Sequence, residues 1–413
     1  MTAATARDLT TVKDVEAADV HKAGRPAARL RRTSDGVEFT YRDDYLAAPD
    51  ARPVATTLPL DDRPVVTPAG AVPPFFAGLL PEGRRLSALR RAVKTSADDE
   101  LSLLLAVGDD LVGDVQVLPV GTEPRDTEPL VVIAGDPGRV VFADVLSDAG
   151  VVDPVSIPGI QDKVSARMIS VPVGRAGGFA ILKVDPLEFP HVVLNEAYFL
   201  GVAARARFPV VRAEVVHDAT DRPGLLVERF DRVVTPDGSV RRLAVEDAAQ
   251  VLGRYPADKY SVRTEEVAVA LAARCPARAV ALRDVFRQVC LAWLTGNGDL
   301  HAKNLSILAA PDGEWRVAPA YDLPSTLPYR DRTTALPVGG RRDGLSRRSL
   351  LAFATATGLP AAAAERTLDE VLAATAGVVD ELAAGALPFD PRTTHDVVRS
   401  LRNRRRACVR TSA

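Results

Sequence analysis

The sequence predicts an α+β protein built from a small N-terminal α/β module, a β-rich lobe and an all-α C-terminal lobe. Strand-like alternation broken by turn residues runs to about residue 235, and helical periodicity of 3.6 dominates after residue 240. The length of 413 residues asks for two or three domains rather than one. Composition narrows the class further. With 47% apolar and 26% charged residues, the chain is neither disordered nor collagen-like. A net charge of −2 excludes polyanion binding by bulk charge alone. Three cysteines (Cys275, Cys290, Cys408) form no CxxC and no disulfide framework, which fits a reducing compartment. No 18-residue stretch is uniformly apolar and free of charge, so no membrane span is expected and a cytoplasmic protein is the reading.

Residues 1–25 are polar and read as a flexible leader. Residues 26–125 form the N-terminal module. Its first part, with RLRRTSDGVEFTYRDDYL, alternates like short antiparallel strands. VPPFFAGLLPEGRRLSALRRAV (72–93) turns helical, with proline and glycine punctuation at 81–83. LSLLLAVGDDLVGDVQVLPV (101–120) reads as helix, turn and strand, and GTEPRDTEP (121–129) as a linker. Strand signals return over 130–235 in PLVVIAG, GRVVFADVL, GGFAILKVD, FPVVRAEVV and GLLVERFDRVV, interrupted by a helix at 194–208. Residues 236–413 are rich in Ala and Leu at helical spacing, from LAVEDAAQVLG to THDVVRSLRNRRRACV. Within them, the Gly and Arg content of 331–347 predicts a mobile loop.

The densest chemistry lies in GNGDLHAKN (296–304) and APAYDL (318–323). Asp299 and Asn304 are five apart, and Asp322 follows 23 residues after Asp299. This is the spacing of a kinase catalytic loop and its metal-binding aspartate. One Asp orients the substrate hydroxyl, the Asn reaches Mg²⁺, and the second Asp bridges metal and phosphates. Oxygen ligands suit a hard ion such as Mg²⁺. Upstream, SIPGIQDKVSA (156–166) offers Gly159 for close backbone approach to phosphate, although no Walker A is present. Lys183 sits in the apolar strand of GGFAILKVD, where a cation needs a partner, and Glu196 on the next helix could supply it. LLVERFDR (225–232) stands where two lobes would join. Gly loop, Lys strand, Glu helix, hinge, Asp/Asn loop and final Asp follow in the order of a bilobal kinase.

These residues together resemble the HipA-like serine/threonine kinases, toxins of type II toxin–antitoxin modules. The likeness spans roughly residues 28–390 and rests on PFFAGLLPEG, SIPGIQDK, ILK, NEAYFLGVAARA, VERFDR, GNGDLHAKN and APAYDL, in order. It implies a bilobal protein-kinase-like fold and ATP- and Mg²⁺-dependent transfer to a protein Ser or Thr. In it Asp299 is catalytic, Asn304 and Asp322 hold Mg²⁺, and Lys183 holds the ATP phosphates. Gly159, Gln161 and Lys163 belong to the loop covering the phosphates, Glu228 and Phe230 frame the adenine through backbone atoms, His301 contacts nucleotide or metal, and Tyr321 lies at the nucleotide. Ser156 matches a serine that such kinases autophosphorylate to switch themselves off. The resemblance also implies an aminoacyl-tRNA synthetase or other translation protein as substrate, a small helix-turn-helix antitoxin as partner, and operator DNA reached through that antitoxin. Pro158, Ile160 and Gly298 depart from the family pattern. Gly298 predicts a more flexible catalytic loop.

Two other classes share parts of this pattern. Small-molecule kinases of the aminoglycoside or choline type carry H-G-D-L-H-x-x-N, but this chain has Asn297 where they have His. A pseudokinase scaffold in an antitoxin–DNA complex could use the six arginines of 399–410 on phosphate. The plainer reading of those arginines is a solvated basic helix end that suits the C-terminal dipole. Only seven lysines accompany 45 arginines, and three of the seven (Lys163, Lys183, Lys303) fall inside these motifs. Cys275 and Cys290 read as small apolar helix residues, and no zinc site is expected.

Overall fold

The computed structural model describes residues 9–124, 132–133, 137–148, 169–175, 178–186 and 188–410. Three hydrophobic cores organise them. In the first, strands β1 (Ala17–Lys22), β2 (Arg25–Thr33), β3 (Gly36–Tyr41), β4 (Val65–Pro68) and β5 (Val115–Pro119) form an antiparallel sheet in the order β4-β3-β2-β1-β5. Helices α1 (Pro74–Leu79), α2 (Gly83–Val93) and α3 (Glu100–Val107) share its core, around Phe39, Phe76 and Leu104.

The leader expected over 1–25 gives way from Leu9, where a 3-10 turn (Leu9–Val12) buries Val12 in this core, and β1 then lies inside the sheet between β2 and β5. Its polar composition hides it. Asp19, His21 and Lys22 are buried. Arg29 donates to Asp19 Oδ1 at 3.1 and 2.9 Å, and Lys22 Nζ pairs with Asp114 at 2.7 Å. Paired charges can lie in a core strand that an apolar count would miss. Of the expected linker, residues 125–129 lie outside the described residues.

The second core belongs to the sheet β6-β7-β8-β10-β9, from β6 (Val132–Ile133), β7 (Ile169–Arg175), β8 (Gly178–Val184), β9 (Ala213–His217) and β10 (Pro223–Glu228). Its pairs are antiparallel except β6 with β7. On β8, Ala180, Leu182 and Val184 point into that core with Phe142 and Val171. Period-two alternation therefore turns Lys183 to the opposite face. On that side runs α4 (Val192–Arg205), which starts where Asp185 accepts from the N–H groups of His191 and Val193 at 2.8 and 2.7 Å.

The third core is helical and largest. It gathers α4 with α5 (Ala248–Val251), α6 (Thr264–Arg274), α7 (Arg278–Thr295), α8 (Arg347–Thr357), α9 (Ala361–Ala374), α10 (Val378–Ala383) and α11 (Pro391–Cys408). The lobe expected to be all-α also carries strands. β11 (Arg232–Val234) pairs with β12 (Val240–Arg242), and β13 (Val245–Asp247), β14 (Ser306–Ala309) and β15 (Trp315–Val317) form a three-stranded sheet. The helical pattern read in LAVEDAAQVLG is divided by Asp247. Its Oδ1 accepts from Gln250 N at 2.8 Å, while Gln250 Oε1 accepts from Asp247 N at 2.9 Å. This capping box starts α5 at Ala248 and leaves the residues before it to pair with β14.

Segment 331–347 is packed, against the mobility its composition suggests. Ala335, Leu336, Val338 and Leu345 are buried, and Gly339 N donates to Glu265 at 2.7 Å. The basic C-terminal run is divided: Arg399, Arg402, Arg406 and Arg410 are exposed, as on a solvated helix end, while Arg404 and Arg405 are tied to the fold. Arg404 is buried, lies 3.9 Å from the Trp293 ring centroid and donates to the carbonyls of Trp293 and Arg332 at 2.9 and 2.5 Å. Arg405 donates to Leu372 O at 2.7 Å, and Arg410 pairs with Glu365 and Asp369 at 2.9 and 3.0 Å. Arg404→Ala is expected to lower stability by about 2 kcal/mol, measured by urea unfolding. An unchanged midpoint would show that the contact adds nothing. Cys275 and Cys290 are buried, and no described helix is long and apolar enough to cross a membrane.

Candidate active site

Helix α7 ends at Gly296, which adopts φ +76°. A side chain could not follow there, since a Cβ would lie 2.4 Å from Leu327 Cδ1. The chain then enters the loop 297–304. Gly298 does not loosen it. Its N–H donates to Thr326 Oγ1 at 3.0 Å, and a Cβ would come within 2.5 Å of Thr326 Oγ1 and Thr333 O. Glycine here is a packing requirement. Asn297 braces the turn, accepting from Asp299 N at 2.8 Å and donating to Asp322 O at 3.3 Å.

Asp299 is fully buried, and the Tyr260 hydroxyl donates to its Oδ1 at 3.0 Å. Asn304 reaches back across the loop. Its Nδ2 donates to Asp299 O and to Asp322 Oδ2, both at 2.9 Å. Asp322 sits at φ +55°, a left-handed conformation that aspartate tolerates better than most residues. The backbone before it is anchored to the other lobe, with Val211 N donating to Ala320 O and Ala320 N to Pro209 O.

Lys183 closes the constellation from the β-rich lobe. Its Nζ lies 2.7 and 2.9 Å from the two Glu196 oxygens and 3.1 Å from Asp322 Oδ1. One ammonium thus joins β8, α4 and the 318–323 segment. Burial works against the charge on Lys183, but Asp322 and Glu196 outweigh it and hold the amine protonated. Two carboxylates share one cation. Burial raises the carboxyl of Glu196, with Lys183 opposing it only in part. Asp322 has its burial outweighed by Lys183 and lies below the usual carboxylate range.

His301 is neutral. Burial, reinforced by nearby Lys259, pushes its pKa down to about 3. Its Nδ1 accepts from Lys303 N at 3.2 Å, which leaves the ring proton on Nε2, and its ring meets Tyr260 edge-on at 5.1 Å. Tyr321 donates its hydroxyl to Lys303 O at 2.7 Å and stacks on Phe230 at 5.7 Å. Glu228 is exposed at the end of β10, and its N–H donates to Arg212 O. Ser156, Gly159, Gln161 and Lys163 lie outside the described residues.

The structure therefore brings Lys183, Glu196, Asp299, Asn304 and Asp322 into one hydrogen-bonded cluster, with His301 and Tyr321 beside it. The residues it adds are Asn297, Tyr260 and Glu82. Glu82 lies in the N-terminal module, yet it contacts Lys259 and is 2.8 Å from Lys303. Asn297 stood inside the catalytic motif. Nothing in the local sequence marks Tyr260.

Comparison with known proteins identifies the family and the fold. Residues 18–118 match the family model of the HipA N-terminal domain, and residues 155–379 that of the HipA-like C-terminal domain. A Sinorhizobium fredii protein named as a candidate kinase is 32% identical over 340 residues, covering 77% of this chain and 80% of that protein. The serine/threonine-protein kinase toxin HipA of Shewanella oneidensis is 26% identical over 354 residues, covering 79% of this chain and 80% of the toxin. The fold matches a solved structure from Shewanella oneidensis MR-1, a complex of HipA, HipB and operator DNA. The TM-score is 0.76 at 22% identity, covering 95% of this chain and 97% of that one.

Proposed function

The chain belongs to the HipA family, and from that premise we propose that it is an ATP- and Mg²⁺-dependent serine/threonine protein kinase acting as a growth-arresting toxin. The observation that carries this reading is the cluster itself. Lys183, Glu196, Asp322, Asn304 and Asp299 come from four separate segments and form one continuous chain of hydrogen bonds.

Each residue then has a role. Lys183, held by Glu196, binds ATP phosphates. Asp299 accepts or orients the substrate hydroxyl, with Tyr260 fixing its carboxylate. Asn304 and Asp322 would hold Mg²⁺. The donors are carboxylate and amide oxygens, which suit a hard ion. Among the described residues no group of three or more His, Cys, Asp or Glu could form a protein-only cage. Two protein ligands leave the remaining positions to phosphate and water, as is usual for Mg²⁺. Once bound, the ion neutralises charge developing on the transferred group. The N–H groups of Glu228 and Arg229 are committed to Arg212 O and Phe179 O. The adenine contacts we assign to this connection therefore fall to Phe230 and to backbone groups other than those two N–H donors. Neutral His301 lies within the site without adding a charge.

The substrate we assign is a protein of translation, such as an aminoacyl-tRNA synthetase. The partner is a small helix-turn-helix antitoxin that carries the complex to operator DNA. Incubation of pure protein with Mg²⁺ and γ-labelled ATP, alone and with cell lysate, tests the reading by phosphosite mapping. Label on Ser156 and on one dominant lysate protein is expected. Turnover stimulated only by a small alcohol or amine would overturn it in favour of a small-molecule kinase. Ser156→Ala is expected to abolish self-labelling while lysate labelling continues. A phosphate at Ser156 adds about −1.5 to −2 charge beside the nucleotide phosphates, which is the physical basis for self-inactivation. A self-phosphate that persists elsewhere in Ser156→Ala would reject that site.

A further inference from the structure

The N-terminal module touches the catalytic loop directly. Glu82 is the residue before α2 and would be its N-cap, yet its side chain caps nothing. It turns instead toward the helical lobe, where one carboxylate oxygen meets Lys259 Nζ and the other lies 2.8 Å from Lys303 Nζ. Burial opposes its charge, but Lys303 and Lys259 outweigh it and hold the carboxyl down at about 2.

Both lysines sit at the reacting centre of the proposed kinase. Lys303 is adjacent to Asn304, and three of its groups are tied. Its N–H donates to His301 Nδ1 at 3.2 Å, its carbonyl accepts from Tyr321 at 2.7 Å, and its ammonium donates to Gly78 O of α1 at 2.9 Å. Lys259 accepts at its carbonyl from Ala302 N at 3.2 Å, and the next residue, Tyr260, donates to Asp299. Glu82 thus grips two segments, 259–260 and 302–304, that between them orient Asp299 and Asn304. The surrounding contact is close. Gln250 Nε2 donates to Phe75 O at 2.8 Å, and a Cβ on Gly78 would come within 2.7 Å of Gln250 Cγ. The motif PFFAGLLPEG therefore supplies Phe75 O, Gly78 O and Glu82 to the catalytic lobe.

We propose that Glu82 is a positioning residue for phosphoryl transfer, by which the N-terminal module clamps Lys259 and Lys303 and so fixes the catalytic loop. This rests on the kinase reading above. Catalysis of this type depends on placement, so a displaced loop affects the chemical step more than ground-state binding of nucleotide.

The test uses the full chain, with labelled ATP and the dominant lysate substrate, and measures kcat and MgATP affinity separately. Glu82→Gln removes the charge and keeps the shape. It is expected to lower kcat roughly 10- to 100-fold while MgATP affinity stays within about twofold. Glu82→Asp, which keeps the charge, is expected to recover most of that loss. Lys303→Met attacks the same link from the other side, and combining it with Glu82→Gln is expected to add little further loss. An unchanged kcat in Glu82→Gln would overturn the proposal. So would equal losses in Glu82→Gln and Glu82→Asp accompanied by lost MgATP binding, since that marks a purely structural residue. Should Glu82→Gln not fold, Glu82→Asp with Lys303→Met decides, and wild-type kcat in both would overturn the proposal. Absence of transfer by the parent chain would instead defeat the kinase reading and this inference with it.

Discussion

Asp299→Ala is expected to cut phosphoryl transfer by roughly 10²- to 10⁴-fold while leaving MgATP affinity within about twofold of the parent. The separation follows from the geometry. Lys183 Nζ joins Glu196 and Asp322 at 2.7–3.1 Å, whereas the Asp299 carboxylate accepts from the Tyr260 hydroxyl. Its link to the phosphate-binding residues runs through its backbone, since Asn304 Nδ2 donates to Asp299 O and not to its carboxylate. Truncating the side chain leaves that bond in place. Truncation takes an acceptor from the half-buried Tyr260 hydroxyl, which now donates to Asp299 at 3.0 Å. About 1–3 kcal/mol of stability is expected to go with it. Isothermal titration with MgATP and a labelled-transfer assay on one preparation read both quantities. Loss of binding and transfer to the same degree would show that Asp299 belongs to the nucleotide site, and the roles assigned here would be wrong.

The parts of the fold legible in the sequence were those held together locally or by a fixed order of motifs. Lys183 announced itself as a cation in an apolar strand, and its partner Glu196 lay thirteen residues on, at the second turn of the next helix. Asp299, Asn304 and Asp322 stood at the spacing that a turn between two short strands imposes. What stayed hidden depends on contacts between distant segments. Strand β1 reads as a polar leader because the partners that neutralise it, Arg29 and Asp114, cannot be paired with it from local pattern. Glu82 is 177 residues from Lys259, and its charge looks like a solvated helix start. Segment 331–347 reads as mobile from composition because glycine and arginine outnumber its buried Ala335, Leu336, Val338 and Leu345. The C-terminal arginines resemble a nucleic-acid surface until Trp293, Leu372 and Glu365 are found to occupy three of them. Charge composition does not separate these cases, because a buried and paired charge has the same sequence signal as a solvated one.

Lys183→Met is expected to lose nucleotide binding and also to destabilise the fold by about 3–5 kcal/mol, the usual result of leaving a buried charge unpaired. Methionine matches the length of the lysine stem, so the loss is one of charge rather than packing. The exposure values decide which carboxylate suffers. Glu196 is 0% exposed at its side chain and among the described residues its carboxylate hydrogen-bonds only to Lys183, whereas Asp322 is 17% exposed and keeps the Asn304 amide at 2.9 Å. The uncompensated group is therefore Glu196. Adding Glu196→Leu to Lys183→Met removes that buried charge and is expected to restore most of the lost stability, because a buried pair is replaced by apolar atoms of similar size. Nucleotide binding is not expected to return, since the phosphate contact is still missing. Urea unfolding and MgATP titration of the single and double variants separate the two effects. Recovery of binding together with stability would mean that Lys183 serves the fold alone. Failure of the double variant to regain stability would mean that the 2.7 Å contact of Lys183 with Glu196 stabilises the lobe by more than its desolvation costs.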